Sequence, residues 1–383
     1  MTTLPAPTAP PMIYLVTSTG YPNYGDELIA AMWLRYLAKV APDSTVWVDC
    51  PNPGPSAVLL GDLHPRVRFT DTMWRLCQHA PSNEPWEVCA HVQRAFANPG
   101  LVPRWVAGIE LAARADIVHV VGGGFINNIW PRHLGLLAGA VAAVRRSGGR
   151  AVMTGQGLSP APDEAGQLVR MIAGQFATVD VRDTPSAALI DPAPQVTCTG
   201  DDMFFGVEPE LYRTDDLPRF MVCLQSDRLE MPTPALAGFL LDTLRKWDVR
   251  PAELGVVEGI PGADRQVFAL VEQHLPGARF YPFGQLMRRG LPAAAGQHWL
   301  SSRFHMHLMA AAAGASGVAV SVNADYYATK HRSLIERGSG WSLSEQLQVP
   351  ELPTGGGFPQ AKLQELRQAK TKLAWSIYGA GVR

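Results

Sequence analysis

The polar residues best suited to chemistry stand at strand-to-helix turns, most densely in "HWLSSRFHMHLMAAAAG". Ser301 and Ser302 end a predicted strand and suit helix N-caps, while Arg303 and His305 fall in the first helical turn. Hydroxyls, a guanidinium and an imidazole at a helix N-terminus favour an anion site over a structural role. His307 is two residues further on and points to another helix face. We therefore predict that Ser302, Arg303 and His305 bind an anionic group.

A second basic residue follows the next predicted strand, in "GVAVSVNADYYATKHRSL". A surface lysine is normally just solvated, but Lys330 arrives beside the Ser-Arg-His turn and can complete the same anion pocket. Arg182 and Asp183 in "TVDVRD", and Asp201 and Asp202 in "TGDD", end two other strands. The acids among them can equally be helix caps.

The turn "GYPNYGDELIA" separates an apolar run from a helical pattern. Asn23 and Gly25 suit a tight turn, and Asp26 and Glu27 suit the positive end of a helix dipole. A turn-and-cap function and a position on the wall of an active-site cleft both explain these residues.

The stretch "VVGGGFINN" places Gly122, Gly123, Gly124 and Asn127 after a buried strand. Consecutive glycines allow backbone amides to approach a ligand closely, and close strand–helix packing is the alternative explanation. The pattern is neither GxGxxG nor a Walker sequence, which argues against a dinucleotide or a Walker-type nucleotide.

The elements that must position these turns alternate between short β-branched runs and longer helical patterns. The predicted strands are "MIYLV", "STVWVD", "DIVHVVG", "AVMTGQG", "TVDVRD" and "QVTCTG", then "RFMVCLQS", "LGVVEGI", "ARFYPF", "HWLSSRF" and "GVAVSVN". Such alternation predicts parallel sheets covered on both faces. The fold class is therefore α/β, with two Rossmann-like parallel-sheet domains facing a cleft.

Composition narrows the function classes further. The chain of 383 residues is 47% hydrophobic with a formal net charge of −1, so no overall field attracts nucleic acid. The five cysteines include no CxxC pair, which argues against a disulfide framework and a zinc site and fits a reducing compartment. No His, Cys, Asp or Glu cluster has metal-ligand spacing. The apolar stretches are too short or too interrupted for a membrane span, and "MTTLPAPTAPP" lacks the charged start of a secretory signal, so we expect a cytoplasmic protein.

The ordered motifs resemble the polysaccharide pyruvyl transferase family. The matching pieces are "GYPNYGDELI", "ADIVHVVGGGFIN", "AVMTGQGLSP", "VDVRDTPSAALI", "TGDD" and "SSRFHMHLMAAAAG" with the later Lys330. They occur in the family's order over roughly residues 12 to 335. The family is similar in fold to the two-domain GT-B transferases, which implies the same architecture here.

The resemblance implies a donor, an acceptor and catalytic residues. Members move the carboxyvinyl unit of phosphoenolpyruvate onto two hydroxyls of a sugar in a glycan or glycolipid, giving a pyruvate ketal and phosphate. The family's basic residues correspond to Arg182, His305 and Lys330, although Arg303 can take the part of Arg182. Asp26 or Glu27 is a weaker candidate for the acid. Phosphoenolpyruvate is then a donor substrate, and no cofactor is expected.

Composition and the strand–helix pattern divide the chain, and the resemblance adds which side each domain takes. Residues 1–11 form a disordered tail, 12–205 an acceptor-side domain, 206–219 the inter-domain connection, and 220–350 the phosphoenolpyruvate-side domain. Residues 351–383 form a linker and an amphipathic helix, for which docking on the core is favoured over a partner surface.

Two rival functions stay open. A GT-B glycosyltransferase using a nucleotide sugar needs a carboxylate placed for a ribose, and none stands out near Ser302. A non-catalytic glycan-binding protein has no reason to keep Arg303, His305 and Lys330 together.

Overall fold

The structure is a computed structural model that describes residues 10–191 and 196–379. A disordered tail was expected over residues 1–11, and residues 1–9 of it lie outside the described residues. The chain forms two compact units. The first draws its described residues from Met1–Tyr21, Ile29–Asp202 and Lys370–Arg383, and the second consists of Pro22–Leu28 and Met203–Ala369.

The first unit contains a seven-stranded parallel sheet. Its strands are β1 (Met12–Val16), β2 (Thr45–Asp49), β3 (Val67–Thr70), β4 (Ile117–Val120), β5 (Arg150–Gln156), β6 (Thr178–Val181) and β7 (Val196–Thr197). The order is β3-β2-β1-β4-β5-β6-β7. The central strand β4 is buried at every position, as the apolar run predicted. The order reverses between β1 and β4, and in open α/β sheets ligands bind at the carboxyl ends of strands near such a point.

Eight helices accompany this sheet. They are α1 (Tyr24–Val40), α2 (Pro53–Leu60), α3 (Thr72–Gln78), α4 (Pro85–Ala97), α5 (Val106–Ala112), α6 (Leu134–Ser147), α7 (Asp163–Ala173) and α8 (Thr184–Ile190). Helix α6 is buried at every position from Leu134 to Val144 because α4 covers the face turned away from the sheet. It ends at Gly148, whose φ of 76° is the left-handed conformation that glycine adopts without strain.

The second unit repeats the topology with six parallel strands. These are β8 (Phe220–Cys223), β9 (Leu254–Val257), β10 (Arg279–Tyr281), β11 (His298–Ser301), β12 (Ser316–Val320) and β13 (Ser342–Ser344), in the order β10-β9-β8-β11-β12-β13. Its helices are α9 (Thr233–Lys246), α10 (Arg265–Ala269), α11 (Phe283–Arg289), α12 (Phe304–Ala312) and α13 (Thr329–Glu336). The prediction of two parallel-sheet α/β domains is therefore confirmed.

The last helix, α14 (Gln360–Tyr378), follows the second sheet. From Lys370 onward its residues group with the first unit. The predicted connection, 206–219, groups entirely with the second unit, as does the first turn of α1. No helix within the described ranges is long and apolar enough to cross a membrane.

Candidate active site

The Ser-Arg-His turn of the second unit lies where β11 ends and α12 begins. The prediction that the serines cap this helix is wrong, because Arg303 occupies the N-cap position. Ser302 Oγ instead accepts a hydrogen bond from Gln225 N at 2.9 Å, and Ser301 Oγ lies 3.1 Å from the Arg303 amide. Both serines are buried. They fix the strand-to-helix turn against β8 and its following loop, which leaves the helix start rigid.

Arg303 is already paired within its own unit. Its Nη2 lies 2.6 Å from Asp264 Oδ1 and 2.5 Å from Asp227 Oδ1, and its Nε lies 2.8 Å from Asp264 Oδ1. Burial opposes the charged guanidinium, but the two carboxylates outweigh it and raise the pKa of Arg303 above its ordinary value. Two acids against one guanidinium leave no net positive charge for an anionic ligand. Arg303 therefore braces the turn, and the prediction that it binds an anion has no support from this geometry.

His305 lies in the first turn of α12 and contacts the backbone of the opening turn. A Cβ atom added to Gly25 would lie 1.8 Å from His305 Nδ1 and 2.2 Å from its Cγ. Gly25 is thus required for the imidazole to lie where it does. The opening turn and the Ser-Arg-His turn belong to the same unit and meet at this histidine.

The remaining residues of the opening turn shape the N-terminus of α1. Asn23 Oδ1 accepts a hydrogen bond from Gly25 N at 3.2 Å, and Asn23 O accepts one from Glu27 N at 3.0 Å. Glu27 is buried and Asp26 is half-buried. The turn-and-cap function therefore has direct support, and the turn places Gly25 against His305. A position on the wall of an active-site cleft stays a prediction.

His307 occupies a different environment, in agreement with its predicted helix face. It stacks on the Trp341 ring at 4.4 Å and lies with Nδ1 3.0 Å from His331 Nδ1. His331 Nε2 donates to the Ser302 carbonyl at 3.1 Å, so His331 Nδ1 accepts from His307, whose Nε2 accepts from Ser339. Burial lowers the pKa of His331 to about 4 and that of His307 well below its ordinary value, so both rings are neutral near pH 7.

Lys330 lies on the same helix as His331. A π-helical turn, Ala324–Ala328, leads into α13, and Lys330 directly precedes His331. The ammonium lies 3.4 Å from the centroid of the Tyr326 ring, a cation–π contact, and the side chain is nearly buried. The His331–Ser302 hydrogen bond links α13 to the turn before α12. His305 and Lys330 thus follow the neighbouring strands β11 and β12, at the carboxyl end of the second sheet.

Arg182 lies in the first unit, directly after β6. It is buried between two carboxylates, with Nε 3.4 Å from Asp183 Oδ2 and Nη1 3.6 Å from Asp201 Oδ2. Gly157 makes room for it, because an added Cβ would lie 2.4 Å from Arg182 Nε. Asp183 also caps α8 by accepting from Ser186 N at 2.8 Å, as the cap explanation predicted. At these distances the Arg182 guanidinium is close to both carboxylates but forms no bidentate pair with either.

Gly122, the first glycine of the run, packs against the Asp202 side chain of the same unit. A Cβ on Gly122 would lie 2.6 Å from the Asp202 carboxylate, and Gly122 N donates to Asp202 Oδ2 at 3.0 Å. Gly123 continues the sheet, since its carbonyl accepts from Gly157 N at 2.8 Å. Asn127 is fully buried and its Nδ2 donates to the Gly124 carbonyl at 3.0 Å. These contacts favour the packing explanation for Gly122 and a turn-forming function for Asn127.

Sequence reasoning missed a buried ion network in the same unit. Lys370 Nζ lies 2.7 Å from both Asp180 Oδ2 and Asp202 Oδ1, and all three side chains are almost inaccessible. Asp202 also accepts from Trp33 Nε1 at 2.9 Å and from Thr154 Oγ1 at 2.5 Å. Asp180 inside the apolar run of β6 was the one local signal, since Lys370 and Asp202 lie in polar stretches of sequence. The network joins α14 to the ends of β5 and β6.

The predicted site residues thus fall into two groups. The second unit contains Asn23, Gly25, Asp26, Glu27, Ser302, Arg303, His305 and Lys330. The first unit holds Arg182, Gly122, Gly123, Gly124 and Asn127. Among the residues described, no group of three or more His, Cys, Asp or Glu side chains is arranged to hold a metal ion, and the expectation of a metal-free enzyme stays a prediction.

The family follows from a sequence comparison. A family model described as polysaccharide pyruvyl transferase matches residues 23–323. The chain belongs to the polysaccharide pyruvyl transferase family. The protein is accordingly a transferase that acts on polysaccharide. A comparison with curated proteins finds no significant match.

Solved structures similar to this chain include epimerases and glycosyltransferases of the GT-B fold. A UDP-N-acetylglucosamine 2-epimerase matches with a TM-score of 0.57 and 12% identity, over 97% of this chain and 96% of that chain. Phytolacca americana UGT2, complexed with UDP-2fluoro-glucose and pterostilbene, matches with a TM-score of 0.55 and 12% identity, over 97% and 99%. A putative UDP-N-acetylglucosamine 2-epimerase from Listeria monocytogenes matches with a TM-score of 0.53 and 12% identity, over 95% and 87%. At this identity the matches show the GT-B fold alone.

Proposed function

We propose that this enzyme transfers the carboxyvinyl group of phosphoenolpyruvate to two hydroxyls of its glycan acceptor, forming a cyclic pyruvate ketal and releasing phosphate. The observation that supports this most is that His305 and Lys330 follow the neighbouring strands β11 and β12, and that the His331–Ser302 hydrogen bond links the two connections. The family alone leaves the donor chemistry general, and this pair gives it an acid/base group and a cation.

Donor binding needs positive charge at one place, because phosphoenolpyruvate carries about three negative charges. Lys330 supplies a nearly buried cation whose desolvation strengthens its attraction for an anion. Arg303 does not add to it, since Asp264 and Asp227 already neutralise the guanidinium. The resemblance also assigns Arg182, in the first unit, to the reaction, and that assignment stays a prediction.

The reaction proceeds through two additions at the same carbon. An acid donates a proton to the methylene carbon, which becomes the methyl group and leaves an oxocarbenium-like centre at the adjacent carbon. The first sugar hydroxyl attacks that centre and gives its proton to a base. Departure of phosphate regenerates the cationic centre, and the second hydroxyl attacks it, loses its proton and closes the ketal. One phosphoenolpyruvate and one diol therefore yield one ketal and one phosphate.

His305 is the proton-transfer group that fits this scheme best. An imidazole can both donate and accept a proton near neutral pH. The contact with Gly25 fixes its ring, and a positioned general acid or base contributes about a hundredfold or more to the rate. Asp26, half-buried on the same opening turn, is the second candidate for the acid.

The identity of the donor is tested by measuring whether the enzyme releases phosphate or a nucleotide. The enzyme is incubated with a set of bacterial polysaccharides and methyl glycosides, together with phosphoenolpyruvate, UDP-sugars or GDP-sugars. We expect acceptor-dependent phosphate release and one carboxyethylidene group added to the glycan by mass spectrometry. Nucleotide release without phosphate would instead identify a GT-B glycosyltransferase, and glycan binding without turnover of any donor would identify a glycan-binding protein.

Lys330→Ala separates two functions of the lysine. If Lys330 holds the donor equally in the ground and transition states, the variant raises the KM for phosphoenolpyruvate and keeps kcat. If it stabilises the leaving phosphate, kcat falls.

We also propose a cytoplasmic location, because the cysteines within the described ranges are all unbridged, as expected in a reducing compartment.

A further inference from the structure

A buried carboxylate of the second unit, Asp264, lies at the end of the loop that follows β9, residues 258–264. Its Oδ2 atom accepts hydrogen bonds from Gly259 N and Ile260 N, at 2.9 Å each. Its Oδ1 atom accepts two from the Arg303 guanidinium, from Nε at 2.8 Å and from Nη2 at 2.6 Å. The two oxygens of one carboxylate therefore hold two different segments, the loop 258–264 and the turn before α12.

The opening turn is attached to the same loop. Tyr24 is buried, and its backbone N–H donates to the Gly259 carbonyl at 3.0 Å. The N–H of this same Gly259 donates to Asp264. The residue after Tyr24 is Gly25, which lies against the His305 ring. Since all of these residues belong to the second unit, Asp264 connects through Gly259 to the backbone that contacts the imidazole.

The guanidinium side of Asp264 leads to the same histidine. Arg303 occupies the N-cap position of α12, and His305 lies two residues further on, in the first turn. Met306, directly after His305, packs on the loop, because a Cβ added to Gly259 would lie 2.8 Å from Met306 Cε and 3.2 Å from Asp264 Oδ2. The loop, the carboxylate and the first turn of α12 are thus closely packed, which leaves little room for any of them to shift.

We propose that Asp264 is a positioning residue for His305, because one carboxylate fixes both the turn that carries the imidazole and the loop that holds Gly25 against it. An ionised carboxylate accepts hydrogen bonds at both oxygens, whereas asparagine has one oxygen and an NH₂ group that only donates. In Asp264→Asn the NH₂ group must face either the Arg303 guanidinium or the loop amides, which are all donors. One of the two connections is lost in either orientation. The proposal rests on His305 as a group that acts in the proposed function, and not on phosphoenolpyruvate as the donor.

A double-mutant cycle of Asp264→Asn with His305→Ala tests this positioning function. Acceptor-dependent phosphate release from phosphoenolpyruvate is measured for the wild type, both single variants and the double variant. Since an error of about 1 Å in a catalytic group costs on the order of a hundredfold in rate, we expect Asp264→Asn alone to lower kcat by at least about tenfold. In the His305→Ala background the same substitution should change kcat by less than about twofold, because no imidazole is left to position.

Two further variants separate positioning from a loss of folding. Glu258→Gln changes another buried carboxylate of the same loop, which accepts from Gly262 N at 2.9 Å and from Phe283 N at 3.2 Å, and it should leave kcat unchanged. Arg303→Lys keeps the charge beside Asp264 but replaces the fixed fork of the guanidinium by a point charge. It should lower kcat in the same His305-dependent manner, and it tests the proposal even where Asp264→Asn does not fold.

Each contrary outcome overturns the assignment. Normal kcat in folded Asp264→Asn would show that His305 needs no such support, and an equal loss in Glu258→Gln would show a general effect of the loop. Equal factors with and without His305 would show a purely structural function. Normal kcat in His305→Ala would remove the group to be positioned and leave the phosphoenolpyruvate donor in place. Release of a nucleotide from a UDP-sugar in place of phosphate would refute the donor, and the same cycle measured on nucleotide release would decide the positioning function.

Discussion

The substitution Gly25→Ala tests the position of His305 without touching that residue. The new Cβ would lie 1.8 Å from His305 Nδ1, whereas an ordinary contact is 3.4 Å or more. The imidazole must therefore move by about 1.5 Å, or the first turn of α1 must shift by as much. Misplacement of a catalytic group by about 1 Å costs on the order of a hundredfold in rate. We expect kcat for phosphate release to fall about a hundredfold.

The fold should tolerate this change, because Gly25 lies in the first turn of a helix and alanine is a better helix former by up to about 1 kcal/mol. The matched control is Gly238→Ala in α9, where an added Cβ meets nothing within 4 Å. Thermal melts and steady-state kinetics are measured for both variants. Normal kcat in a folded Gly25→Ala protein would refute the argument that the His305 ring position matters for the reaction.

Three further substitutions test other parts of the structure. His307→Ala should lower the free energy of unfolding by about 2–4 kcal/mol, since it removes buried hydrogen bonds and packing. The kcat of the folded variant should change little, and a fall of about a hundredfold would contradict the assignment of proton transfer to His305. Asp49 is buried, and burial raises the pKa of its carboxyl group to about 7. The folded state therefore binds the carboxyl proton more tightly than the unfolded state does. The stability that this proton contributes is fully present below pH 4 and is lost as the pH rises to 7. That loss is on the order of 4 kcal/mol, and urea titrations should show it in the wild type but not in Asp49→Asn. Lys370→Met leaves two buried carboxylates without their cation and should cost about 3–5 kcal/mol in urea unfolding, whereas Lys362→Met, which breaks an exposed pair on the same helix, should cost less than about 1 kcal/mol.

Much of the architecture is readable from the sequence because buried parallel strands consist of short β-branched runs. "MIYLV" coincides with β1. The sequence did not indicate β3 and β13, which are edge strands of four and three residues. Edge strands are partly exposed and short, so their composition resembles that of loops.

The candidate site is readable only in part. His305 and Lys330 stand out because each follows a strand, and ligands bind at strand ends. The pairing of Arg303 with Asp264 and Asp227 joins residues 39 and 76 positions apart, and no local pattern reveals such a contact. For the same reason Gly122 suggested a ligand, whereas Asp202, 80 residues later, occupies the space beside it.

The division of the chain also depends on tertiary contacts. The first turn of α1 groups with the second unit, although the residues on both sides of it belong to the first. The segment from Lys370 onward groups with the first unit, although it directly follows the second. Local composition does not report which body a helix end packs against, since both bodies present apolar surfaces.

The fate of phosphoenolpyruvate in D₂O tests the central claim most directly. Carbon-labelled phosphoenolpyruvate and a glycan that supports phosphate release are incubated with the enzyme, and the product is examined by NMR. The account predicts a ketal whose methyl group carries one deuterium, formed in equal amount to phosphate, because the methylene carbon takes one solvent proton. A ketal methyl group without deuterium would contradict this account. Nucleotide release from a UDP-sugar in place of phosphate would contradict it as well.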